Sequence, residues 1–258
     1  MKILIVGDIY GKAGKNAASA YIPHMKKELD VDLVIANAEN TSEGGKSLIK
    51  EDYDILKASG VDYITMGNHT FRNKSINEYI DDVNDMVRPS NLIGTYKGKG
   101  YINFKYQGKK ILLLNLLGET FMNMEVENPF HHADQVLDNN EYDLAIVDFH
   151  AEATSEKIVL ANHISDRAAI VFGTHTHIQT ADERILNGTT AYITDVGMTG
   201  VFDSAIGANF KEVTDRIMTG KSDRFKEAEG KVRINAVLVT LYDNTLKPMS
   251  IERIVFNP

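Results

Sequence analysis

Two histidines one residue apart, His175 and His177, follow the apolar run "AAIVF" in the segment "FGTHTHIQTADE". Other apolar runs also stop at, or within a few residues of, groups able to bind a metal. "KILIVG" leads to Asp8, "DLVIAN" to Glu39 and Asn40 in "NAEN", "DYITMG" to Asn68 and His69, and "DLAIVDF" to His150. Each alone has an ordinary explanation: Asp8 as a cap or turn residue, Glu39 and Asn40 as loop, a single imidazole as a structural histidine. Gathered in one place, they amount to two carboxylates, two asparagines and four histidines. That exceeds what one tetrahedral ion needs and suits two ions that share a bridging carboxylate. Such a pair lowers the pKa of a bridging water, supplies hydroxide at neutral pH and clamps phosphoryl oxygens during in-line displacement. The departing alkoxide must still gain a proton, and an imidazole with an ordinary pKa of about 6.5 is a suitable donor.

Positioning these groups requires strands. The candidates are residues 2–7, 32–37, 62–67, 109–117, 143–149, 168–173 and 190–195, near-continuous apolar runs of the kind covered on both faces. Helical patterns lie between them at 15–29, 47–59, 75–86 and 155–166. The first carries Pro23, which predicts a kink or an interruption. The second ends before Gly60, a suitable left-handed terminator. The third places Ile76, Tyr79, Ile80 and Val83 on one face, with Ser75 and Glu78 as a capping box. Strand and helix alternate in the first third, so the fold class is α/β. If the strands are parallel neighbours, their carboxyl ends gather at one edge, and all eight residues converge there. "RINAVLVTLYD" and "SIERIVF" flank "DNTLKP" and read as a closing antiparallel pair. Residues 207–231 read as a polar, partly helical insertion. No repeat or compositional break divides the chain, so one domain, 1–258, is expected.

The net charge of -8 argues against an extended nucleic-acid partner, which favours a basic track. With no cysteine, disulfides and thiolate metal sites are excluded, leaving His, Asp, Glu and Asn as ligands. The opening "MKILIVGD" is too short for a signal peptide, and "ILLLNLLG" is far too short to span a membrane. The expectation is a soluble cytoplasmic protein. His131 and His132, in "NPFHHAD", read as a loop or helix entrance, and His24 and His163 as structural. Asp182, Asp195 and Gly197 are candidates for supporting the metal-bound imidazoles from behind.

The motifs "GDIYGKAGK", "NAENTSEGG", "GNHTF", "FHAEATSEK", "GTHTHIQTADERIL" and "TAYITDVGMTG" resemble the calcineurin-like metallophosphoesterases, and within them the bacterial YmdB-like 2′,3′-cyclic-nucleotide 2′-phosphodiesterases. The resemblance covers essentially the whole chain. It includes departures from the general pattern: Tyr10 in place of a histidine, "NAEN" as the second motif, Thr70 after Gly-Asn-His and Thr174 before His-x-His. It implies a four-layer αββα fold with two mixed sheets packed face to face. It also implies two metal ions, iron or in its place manganese. Asp8, Glu39, Asn40 and His177 would hold one; Glu39, Asn68, His150 and His175 would hold the other, with Glu39 bridging. A hydroxide between the ions would attack a small cyclic nucleotide or phosphodiester, with His69 as catalytic proton donor. Homo-oligomers are implied too. The residues alone leave other readings open: a metal-dependent phosphomonoesterase or nuclease, an amidohydrolase, or a nucleotide-binding regulatory module without catalysis. An amidohydrolase is the poorer fit, since its His-x-His opens a barrel at the first strand and here the pair arrives at residue 175.

Overall fold

Leu4 and Val6 pack to one side of the first strand, and Ile3 and Ile5 to the other. Because strand side chains alternate, a strand apolar on both faces must be covered on both. The computed structural model, which describes residues 1–220 and 224–258, shows how. In chain order the elements are β1 (Lys2–Val6), β2 (Asp8–Ile9), α1 (Gly11–Glu28), β3 (Leu33–Asn37), α2 (Lys50–Ala58), β4 (Tyr63–Thr65), a 3-10 turn (Lys74–Glu78) and β5 (Met86–Val87). Next come β6 (Tyr101–Tyr106), β7 (Lys109–Leu117), α3 (Pro129–Asp138), β8 (Leu144–His150), α4 (Thr154–His163) and β9 (Ile170–Thr174). The last are β10 (Arg184–Leu186), β11 (Thr190–Ile193), β12 (Met198–Val201), α5 (Phe210–Thr219), β13 (Val232–Leu241) and β14 (Pro248–Phe256).

Two mixed sheets result. The first runs β2-β12-β13-β1-β3-β4-β5, with β14 also paired to β13; the second runs β10-β11-β9-β8-β7-β6. Strands β1, β3 and β4 are parallel neighbours, as are β7, β8, β9 and β11. The sheets pack face to face over Ile3, Ile5, Ile35, Ile111, Leu113, Ile146, Phe172 and Val237. Outside the first sheet lie α1 and α2, through Ala18, Ile22, Met25 and Leu56. Outside the second lie α3 and α4, through Ala133, Val136, Leu160 and Ala161. The four-layer αββα arrangement implied by the resemblance is the one formed.

The two C-terminal strands pair antiparallel as expected. Two local expectations are corrected. α1 runs from Gly11 to Glu28 without interruption at Pro23, which is exposed. Residues 75–86 do not form a helix. Only the 3-10 turn is present; it is capped by Asn73, which accepts from the Ser75 backbone, and the Ser75–Glu78 capping box is absent. Asp81, Asp82, Asn84 and Asp85 follow directly, residues that compete for local backbone bonds and end helices. Ile76, Tyr79 and Ile80 are buried all the same, with Tyr79 donating to the Leu48 carbonyl at 2.8 Å. Within 207–231, α5 supplies the expected helical part; residues 221–223 lie outside the described residues. Among the described residues no helix is long and apolar enough to cross a membrane.

The layer between the sheets should dominate stability. Phe172→Ala, at a 1 % exposed site there, is expected to lower the unfolding free energy by about 3–5 kcal/mol. Chemical denaturation of the purified variant measures this directly.

Candidate metal centre

The inter-sheet layer changes character toward the carboxyl ends of its strands. On β3, Ile35 is followed two residues later by Asn37 and, just past the strand, by Glu39. On β8, Ile146 is followed by Asp148 and His150; on β9, Phe172 is followed by Thr174. Period-two alternation keeps each series on one face. Asn37, Asp148, Glu39, His150 and Thr174 are therefore buried one above another at the end of the apolar layer. Asn37 donates to Asp148 Oδ2 at 3.2 Å, and the Thr174 hydroxyl donates to Asp148 Oδ1 at 2.7 Å. Burial pushes the Asp148 carboxyl up to about 6.

This polar layer fixes which ring nitrogen each histidine presents. Thr174 spends its hydroxyl proton on Asp148, so at 2.9 Å it accepts from His150 Nδ1 and leaves Nε2 facing inward. His175 Nε2 lies 3.0 Å from Glu152 Oε2, leaving Nδ1 inward. His177 Nδ1 donates to the Ile206 carbonyl at 2.9 Å, leaving Nε2 inward. Both His175 and His177 have left-handed backbones, with φ of 99° and 64°. Non-glycine residues rarely adopt that conformation except where the surroundings impose it, and such outliers cluster at functional sites.

The inward atoms fall into two groups that share Glu39. In one, His150 Nε2 lies 2.9 Å from Asn68 Oδ1, 3.1 Å from His175 Nδ1 and 3.2 Å from Glu39 Oε1. Glu39, His150 and His175 each bring one ligand atom within 4.8 Å of the others. In the other, His177 Nε2 lies 3.7 Å from Asp8 Oδ1 and 3.2 Å from the Asn40 amide nitrogen, which also donates to Glu39 Oε1 at 3.1 Å. Asp8 Oδ2 accepts from the His175 backbone N–H at 3.2 Å, while its Oδ1 is buried with no hydrogen-bond partner.

These residues fit divalent cations. One nitrogen cannot serve three lone-pair-bearing neighbours, and a buried carboxylate oxygen without a donor is costly. A cation among them satisfies all at once. Gly67 keeps the space: a Cβ there would stand 2.4 Å from His150 Nε2 and 2.5 Å from Glu39 Oε2.

Electrostatics point the same way. Burial acts to raise the Glu39 carboxyl, yet the His150 and His69 contacts outweigh it and hold Glu39 well below the usual carboxylate range. Burial acts to lower His150, but Glu39, Asp8 and Asp148 overcome it and lift the imidazole to about 9. A field that holds a proton there also favours a metal cation in exchange. Burial and the neighbouring His150 push His175 down to about 3, so that imidazole stays neutral with a free lone pair.

His69 stands at the rim, its side chain 28 % exposed. Its backbone N–H donates to Glu39 Oε2 at 2.6 Å and its Nδ1 to Asn40 Oδ1 at 2.7 Å, so Nε2 is the ring nitrogen that Asn40 does not engage. Asn40 thus turns its oxygen to His69, and coordination through that oxygen requires the amide to rotate. Tyr10 does not stand in for a ligand. Its ring meets His177 edge-on at 5.7 Å between centroids.

All eight residues singled out in the sequence meet in this seam: Asp8, Glu39, Asn40, Asn68 and His69 from the first sheet, His150, His175 and His177 from the second. Asp195 supports the segment from behind, accepting from the Thr176 backbone and hydroxyl, and Gly197 donates to it while accepting from the Asp8 N–H. Asp182 is turned elsewhere, to Thr180 and Thr194. His132 pairs with Glu127, His163 with Asp134 and His24 with Glu28, all structural contacts. Missed in the sequence were Asn37, Asp148, Thr174 and Glu152 as orienting groups. The signal for two of them was available: a polar residue two places before a candidate ligand on a buried strand shares its face.

The family model described as YmdB-like protein matches residues 4–254. The 2′,3′-cyclic-nucleotide 2′-phosphodiesterase of Bacillus subtilis (strain 168) is 42 % identical over 259 residues, covering 100 % of this chain and 97 % of that protein. A crystal structure from Mycoplasma pneumoniae described as a novel phosphatase superposes with a TM-score of 0.95 at 38 % identity, covering 100 % of this chain and 93 % of that one. A hypothetical protein from Thermus thermophilus gives 0.94 at 35 %, with 100 % and 99 % covered. The calcineurin-like phosphoesterase YfkN from Bacillus subtilis, at 12 % identity and a TM-score of 0.60 over 100 % of this chain and 90 % of that one, shares the fold. The chain therefore belongs to the YmdB-like protein family, built on the calcineurin-like phosphoesterase fold.

Proposed function

We propose that this protein is a two-metal phosphodiesterase that hydrolyses 2′,3′-cyclic nucleotides to 3′-nucleotides. The observation that carries this reading is the sharing of Glu39 between two converging groups of lone-pair-bearing side chains. The full-length similarity to a relative named for that reaction narrows the substrate. Asp8, Glu39, Asn40 and His177 would hold one ion, and Glu39, Asn68, His150 and His175 the other. Iron and manganese both suit this mixed nitrogen and oxygen set. When bound, the ions supply Lewis acidity toward the phosphoryl oxygens and hydroxide at neutral pH.

The chain's own groups do the rest. Glu39 keeps its charge at the centre, and the hydrogen bonds behind the imidazoles hold the remaining ligands in place, so little reorganisation is needed. Once the Asn40 amide turns its oxygen to an ion, its NH₂ faces His69 Nδ1, which places the ring proton on Nε2, from where His69 would protonate the departing ribose 2′ oxygen and recover a proton from the attacking water. Net, water adds across the P–O2′ bond: OH goes to phosphorus, H to O2′, and the phosphate stays on O3′. A small, freely diffusing cytoplasmic diester suits the acidic chain better than a long nucleic acid.

Metal-loaded protein assayed against 2′,3′-cAMP, 3′,5′-cAMP, an aryl phosphodiester and a phosphomonoester should turn over the first best, with the 3′-phosphate as product by chromatography. Binding without turnover under several metals would instead favour a regulatory module. His69→Ala should lower kcat by about 10²–10⁴-fold while elemental analysis finds metal content unchanged; full activity in that variant removes His69 from the reaction. In His150→Ala or Gly67→Ala, one ion per chain should be lost with the fold retained by circular dichroism. Unaltered stoichiometry there would contradict the ligand set.

A further inference from the structure

Between His150 and the His-x-His segment the chain passes through α4, and that helix carries a buried cation. Lys157 is 1 % exposed, and its ammonium donates to the Thr174 carbonyl at 2.8 Å and to Asp195 Oδ2 at 2.7 Å. Asp195 is fully buried, and the same Oδ2 accepts from the Thr176 N–H at 3.1 Å and the Thr176 hydroxyl at 2.8 Å. Its other oxygen accepts from the Gly197 N–H at 2.8 Å. One ion pair thus grips the peptide groups on either side of His175, whose φ is 99°. The lysine stem reaches these atoms across Gly173, where a Cβ would stand 2.9 Å from Lys157 Cδ.

An ammonium suits this place, opposite a buried carboxylate. The site needs at least two donors on one atom, aimed at a carbonyl and a carboxylate, which an ammonium supplies. Burying that charge costs more than it returns unless it is fully paired, so a buried pair is weak evidence of added stability. Here the held conformation is the strained one that aims His175 Nδ1 at His150 and Glu39.

We propose that Lys157 is a positioning residue for the ion held by His175, acting with Asp195 by clamping the peptide groups of Thr174 and Thr176. It touches neither ion nor substrate. The inference rests on reading the site as a metal centre.

The test is calorimetric titration of the full-length apoprotein with Mn²⁺, with kcat and KM measured at low and saturating Mn²⁺. Wild type should take up two equivalents. Lys157→Met, folded by circular dichroism, should keep one site and bind at the other about 10- to 100-fold more weakly. Its lost kcat should return at saturating Mn²⁺ with KM unchanged. Lys157→Met combined with Asp195→Asn leaves no unpaired buried charge, so it should fold and melt closer to wild type while the second site stays weak. Two sites of wild-type affinity in either folded variant, even with a lower Tm, would overturn the proposal and make the pair purely structural. A wild-type chain that binds no Mn²⁺ would overturn the metal-centre reading itself.

Discussion

A carboxylate is buried where two β-sheets meet, surrounded by imidazoles, and the architecture around it answers to that fact. Glu39 comes from the end of a first-sheet strand, and the His150 imidazole 3.2 Å away comes from the second sheet. Removing such groups from water is expensive unless opposite charge and hydrogen bonds replace the lost solvation. The imidazoles of His150 and His69 beside Glu39 supply part of that replacement, and the donor-poor surroundings of Asp8 leave room for positive charge. Neither sheet holds enough of these groups to make the site alone. Face-to-face stacking therefore serves the chemistry as well as the core.

The transition along the seam from isoleucine and phenylalanine to asparagine, aspartate and threonine is what makes the arrangement rigid. Apolar packing sets the distance between the sheets. The next layer exchanges packing for directed hydrogen bonds, and each bond there has a consequence for the layer above. The Asp148–Thr174–His150 chain chooses a ring nitrogen, as Glu152 and the Ile206 carbonyl do for His175 and His177. The orientation of these three imidazoles is thereby settled before any ligand arrives, which favours electrostatic stabilisation with little reorganisation.

Substitutions against the general metallophosphoesterase pattern fit the same frame. Tyr10 puts an aromatic wall beside His177 instead of another nitrogen. Thr174, where the wider pattern has glycine before His-x-His, supplies the hydroxyl that orients His150 and the carbonyl that Lys157 holds. Asn40 links the two histidines that differ most in setting, the buried His177 and the rim residue His69.

That the seven candidate ligands and His69 would meet was legible in the chain because apolar runs that end in ligand-capable residues mark strand ends, and parallel strand ends share an edge. The α/β layering and the closing hairpin were legible for the same reason: periodicity reports which faces are covered. The region 75–86 misled because Ile76, Tyr79 and Ile80 are spaced for a helix face, while the carboxamide and carboxylates after them favour turns; tertiary packing buried the apolar side chains without a helix. Pro23 does not interrupt its helix, and its exposed position there is something local sequence does not state. Which residue would stand behind each imidazole was decided only in three dimensions. Lys157 reads as an ordinary helical lysine and Glu152 as a loop acid, and their roles depend on strands that are distant in sequence but adjacent in the sheets. Residue type carries the chemistry a group can do, whereas its direction and its partners come from the packing of one sheet on the other.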